Sequence, residues 1–110
     1  MTKKVTIDAG LIINWDTFHN IFSKTFGFPD FYGQNMNAWI DCMTYIDDKD
    51  SGMTKFLVDK GDTIIIELKN SDTFKNKCPD IYLALFECAA HVNERRVVDN
   101  DFTMIAIALE

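Results

Sequence analysis

Asp41 follows Asn37 by four residues and precedes Thr44 by three, so on a helix the three side chains share one face, and Asp48 continues the row. A carboxylate between an amide and a hydroxyl makes an acceptor-rich patch. It can take charge-assisted hydrogen bonds from a cation, or stand in for the paired oxygens of a phosphate. Few other side chains offer chemistry. Cys42, Cys78 and Cys88 are an odd number without metal-type spacing. Cys42 and Cys88 lack a histidine at a recognisable nucleophile spacing, and a buried cysteine acting as a small hydrophobe is the ordinary case. His19 is expected on the polar side of a first helix, solvated. His91 is expected near the C-terminal end of a late helix, where it suits the dipole. The glycines form no phosphate-binding loop. The residues therefore point away from an enzyme and require no cofactor or metal.

The chain that must position Asp41 has 110 residues, the usual size of one domain, and residues 1–110 are read as a single unit. Hydrophobic residues make up 47%, with nine Phe and two Trp, enough for a packed core without disulfides. Eleven basic residues against 17 acidic ones give a net charge of −6. Direct nucleic-acid binding calls for a basic patch and loses ground, whereas a basic protein partner gains it. There is no apolar run of membrane-spanning length, so no membrane association is expected. Residues 1–7 carry two lysines and no apolar core of a signal peptide, so a cytoplasmic location is expected.

Val5–Ile7 alternates as a short strand. Asn14 can cap a helix whose stripe is Trp15, Phe18, Ile21, Phe22 and Phe26, stopped by Gly27. Pro29 and Gly33 mark a loop. Asn35 can cap a second helix, with Met36, Trp39, Ile40 and Met43 facing the core. A polar stretch with one helical turn fills Asp47 to Gly61. Thr63–Leu68 is the clearest strand, and its β-branched run predicts burial on both faces. A short turn follows Asn70, then a long helix begins at Pro79 and runs to about Asn93. Residues 102–109 close the chain as a strand. Helices between strands imply parallel pairing through right-handed crossovers. The expected fold is α/β, a three-stranded parallel sheet packed with three to four helices.

The segment from Phe31 to Thr44, FYGQNMNAWIDCMT, resembles the hallmark of the barstar family, an aromatic-Tyr-Gly-(Glu/Gln)-Asn turn entering a helix that ends Asp-Cys-Leu-Thr. Pro29, Gly33, Asn35, the Asp41-Cys42 pair and Thr44 match, and the order of elements agrees over nearly the whole chain. The resemblance implies an inhibitor that enters a bacterial ribonuclease's active site. An Asp on this helix then takes the phosphate position against the enzyme's Arg and His residues, a role that carries onto Asp41. It places the partner-binding face at Phe31, Gly33, Asn35, Asn37, Ile40, Asp41, Thr44, Tyr45 and Ile46, with Glu87 from the late helix. The implied partner is a basic nuclease toxin.

Departures from the family pattern are specific. Asn37 stands where a second Asp is found, Ile40 and Ile46 where aromatics are found, and Phe31 where Tyr is common. A gapless alignment puts Cys88, not Glu87, at the late-helix Glu, and residues 47–60 read as an insertion. Two other classes stay open: a module of this fold that regulates a non-nuclease partner, and an enzyme using Cys42 or Cys88. Trp39 shares its stripe with Met36 and Met43 and is assigned to the core, although tryptophans favour interfaces.

Overall fold

The computed structural model describes all residues from Met1 to Glu110. The strands are β1 (Thr2–Asp8), β2 (Thr63–Lys69) and β3 (Met104–Leu109). The helices are α1 (Trp15–Phe26), α2 (Met36–Thr44), α3 (Ser71–Lys77) and α4 (Pro79–Val98). Single 3₁₀ turns lie at Ala9–Leu11 and Lys49–Ser51. The sheet runs β1-β2-β3, parallel throughout, with Val5 opposite Ile66 and Ile66 opposite Ile107. The α/β class, the three parallel strands and the helix count are as the sequence implied.

Both crossovers step across the sheet in the same direction. Two right-handed crossovers that do so place their helices on one face. Accordingly Val5, Ile7, Ile64, Ile66, Leu68 and Ile105 are buried, while Lys4, Thr6 and Ala106 are exposed and Ile65 and Glu67 half-buried. The expectation that β2 is buried on both faces is thus corrected. Its isoleucine run is covered on one side only, and on the other side Thr6 donates to Glu67 at 3.0 Å.

The sequence signals hold at both ends of α1 and at the start of α2. Asn14 accepts from the Thr17 N–H at 2.9 Å, and Asn35 from the Ala38 N–H at 2.8 Å. Gly27 ends α1 with φ +68, and a Cβ there would lie 2.5 Å from Lys55 Cβ. The close approach lets the Lys55 and Phe56 N–H groups donate to the Phe26 carbonyl, which ties the 47–62 stretch to the end of α1. One apolar cluster joins sheet and helices, with Phe18, Phe22, Phe26, Trp39, Met43 and Leu85 fully buried within it.

Candidate partner-binding face

The face begins in the loop before α2. Tyr32 folds inward, its ring 4.7 Å from that of Phe28 and its hydroxyl 2.6 Å from His19 Nδ1. With Tyr32 as the anchor, Phe31 is turned out and is 76% exposed. Gly33 and Asn35 are exposed beside it, and the Asn35 amide both caps α2 and donates to the Gly33 carbonyl at 3.2 Å. His19 is the first correction. It is 3% exposed rather than solvated, stacked on Trp15 and covered by the loop. Helical periodicity does not reveal what a loop folds over. Burial lowers its pKa, opposed by Asp16 on the same helix.

Along α2, Asn37 and Asp41 are exposed, Ile40 and Thr44 half-buried, and Tyr45, just past the helix, 46% exposed. The Thr44 hydroxyl donates to the Ile40 carbonyl at 2.6 Å, so toward a partner it offers mainly its oxygen lone pairs. Ile46 departs from the expected face: it is 1% exposed and belongs to the core cluster. An aliphatic residue at this position turns inward because nothing polar holds it at the surface. Trp39 is fully buried, 5.9 Å from the Phe22 ring, its Nε1 without an acceptor.

The larger surprise is α4. It runs on to Val98, so His91 is an exposed mid-helix residue instead of a terminal one. Asn93 to Arg96 looks polar enough to end a helix, yet Arg96 turns inward and is 7% exposed. Its guanidinium donates to Asp47 at 2.8 Å, to Asp101 at 2.9 Å, and to the Thr44 carbonyl at the end of α2. Lys60 reaches the same two carboxylates at 3.0 Å each. Burial pushes the Asp47 carboxyl upward, but bonds from Arg96 and Lys60 win and hold it below the usual range. Asp101 is held far lower, first by the Thr103 N–H and then by Lys60 and Arg96. Asp47 is therefore a structural acid, not part of a solvated acidic run.

This cluster sets the neighbours of Asp41. Arg95, next along α4, places Nη1 3.9 Å from Asp41 Oδ1, with both side chains about half exposed. Glu87 is exposed on α4 but lies eight residues earlier, about 12 Å along the axis. Arg95 and Arg96 are the residues that the sequence reading missed. The available signal was the lack of any Gly or Pro between Pro79 and Asn100 to stop the helix. A groove of about 340 Å³ opens beside Thr44, bounded by His91, Glu94, Arg95, Val98 and Asp99.

Neither Cys42 nor Cys88 is an activated thiol. Burial pushes Cys42 up to about 11 and raises Cys88, in each case helped by the adjacent carboxylate. No group of His, Cys, Asp or Glu side chains is placed to hold a metal ion. No helix is long and apolar enough to cross a membrane.

What the fold and face define is a small parallel α/β protein presenting one exposed carboxylate from a short capped helix. The family model for Barstar (barnase inhibitor) matches residues 2–108, and the chain belongs to the Barstar family. This is a family of inhibitors rather than catalysts, so membership gives the chain a ribonuclease-inhibitor type of role and a nuclease as the general kind of partner. No curated protein matches the sequence significantly.

Proposed function

We propose that the chain, acting as one unit over residues 1–110, is an immunity-type protein that binds a basic ribonuclease toxin inside the producing cell and blocks its active site. The carrying observation is the exposed Asp41 carboxylate on α2, in a chain whose family is defined by barnase inhibition. Asp41 occupies the place of a substrate phosphate against the enzyme's cationic donors. Phe31, Gly33, Asn35, Asn37, Thr44 and Tyr45 surround it as the contact rim, with the exposed edge of Ile40, and Glu87 extends the acidic surface on α4. The net charge of −6 favours encounter with a basic enzyme.

Calorimetry of Asp41→Ala against barnase, and against the nuclease encoded beside this chain's gene, tests the reading. The expected loss is about 2–5 kcal/mol of binding, the range for truncating buried interfacial charge pairs that barnase and its inhibitor helped to define. Thermal stability should not change. Parental affinity in the variant for every nuclease bound rules the assignment out.

A second reading, a Barstar-family module that regulates a non-nuclease protein, draws on Asn37 and Ile40, which leave Asp41 as the one carboxylate on the outer side of α2. Capture of a partner without nuclease activity through the same face would favour it.

A further inference from the structure

The placement of Arg95 bears on which partner the face accepts. Its guanidinium lies 3.9 Å from Asp41, and the side chains are 48% and 60% exposed. An exposed ion pair of this kind adds little to stability. Its location is nevertheless fixed, because the adjacent Arg96 is locked to Asp47, Asp101 and the last carbonyl of α2. Arg95 therefore cannot swing clear of α2 by moving the backbone. It can only redirect its side chain, and the groove beside Thr44, Glu94 and Asp99 is where a partner group would meet it.

We propose that Arg95 is a specificity-determining residue of the face: it makes Asp41 half of a mixed pair, so the preferred partner offers a cation to Asp41 and a carboxylate or carbonyl to Arg95. This rests on the reading that α2 is the binding face. A pocket lined only with Arg, Lys and His satisfies Asp41 but meets a like charge within a few ångströms, and that juxtaposition rejects wrong partners. A pocket with an acceptor beside its cations gains on both sides, since a guanidinium carries five donors and Asp41, at 3.9 Å, lies beyond hydrogen-bond distance.

Barnase is the probe, and inhibition of its RNA cleavage is the readout, for the parent, Arg95→Gln, Arg95→Lys, Asp41→Ala and Arg95→Gln with Asp41→Ala. Arg95→Gln should inhibit about tenfold more strongly than the parent, a change of the size one like charge at this range supplies. Arg95→Lys, which keeps the charge, should stay near the parent. The gain should vanish when Asp41 is also replaced. No gain in Arg95→Gln overturns the proposal, whether both chains inhibit equally or neither inhibits, and so does a gain that survives without Asp41. The underlying reading fails separately, and visibly, if Asp41→Ala inhibits as well as its background with either residue at 95. Unchanged melting temperatures across the set keep folding out of the comparison.

Discussion

Trp39 lies where α1 meets α2, fully buried against Phe22, while Asp41 two positions on faces outward. Trp39→Ala should cost about 3–5 kcal/mol in urea unfolding, through the cavity it leaves. In a Trp15→Phe background, where Trp39 is the remaining indole, iodide should quench little fluorescence, and ready quenching would move Trp39 to the surface. His19 makes a second prediction, and its sign follows from burial. Its folded pKa is lowered from the ordinary 6.5, so the unfolded chain binds the proton more readily. The contribution of the neutral ring is complete above pH 6.5 and fades as pH falls through that value toward the folded pKa. Urea midpoints should decline between about pH 7 and pH 5, and His19→Gln should flatten that step. A parent midpoint indifferent to pH across the window would contradict the buried, neutral histidine. Trp39 could be read from spacing because periodicity reports which side of a helix meets the core. His19 could not, because its cover is Tyr32, thirteen residues away in a loop.

At the scale of elements, α2 is short, and its free carbonyl end is secured from outside. Arg96 supplies a donor to Thr44, neutralises Asp47 and Asp101, and so fastens α2, the 47–62 stretch and the end of α4 to one another. Arg96→Met leaves two largely buried acids with Lys60 as their cation, and chemical unfolding should show a loss of about 3 kcal/mol. A cost below about 1 kcal/mol would mean that the cluster behaves as an ordinary surface pair. Both acids have depressed folded pKa values, so their contribution is present above the unfolded carboxylate value of 3.8 and is lost as pH falls below it. The caps at Asn14 and Asn35, the stop at Gly27 and the start at Pro79 were all legible, since each is a local rule about unpaired backbone groups or φ. The end of α4 was not. Polar residues close a helix only when they face water, and Arg96 faces two carboxylates contributed by other parts of the chain. The same limit hid Arg95, which stands 3.9 Å from Asp41 of the hallmark segment.

The whole molecule carries its excess negative charge unevenly in function, because Asp47 and Asp101 are already spent on Arg96 and Lys60. The acids free to attract a basic enzyme beside α2 include Asp48 and Asp50, both exposed. Screening acts over about 10 Å at 0.1 M salt, so stopped-flow association with a basic nuclease should slow steeply as salt rises, with dissociation little changed. Asp48→Asn with Asp50→Asn should flatten that dependence, and an on-rate indifferent to salt in the parent would remove attraction from the account. The sheet beneath the helices has a different vulnerability. β3 lies at its margin, with nothing beyond it to pair its outward N–H and C=O groups. Asn93 of α4 closes part of that margin: its amide accepts from the Ile105 N–H at 2.8 Å and donates to the Ile105 carbonyl at 2.9 Å, the two bonds another strand would make. The Thr103 N–H, next on the same side, is taken by Asp101. Alternation leaves only Ile107 and Leu109 facing outward with their main chain open, too short a template for an added strand. Asn93 is thus a counterfeit neighbour: on this side the sheet stops at β3, and a partner must recognise this protein by its side chains, not by zipping onto its backbone there.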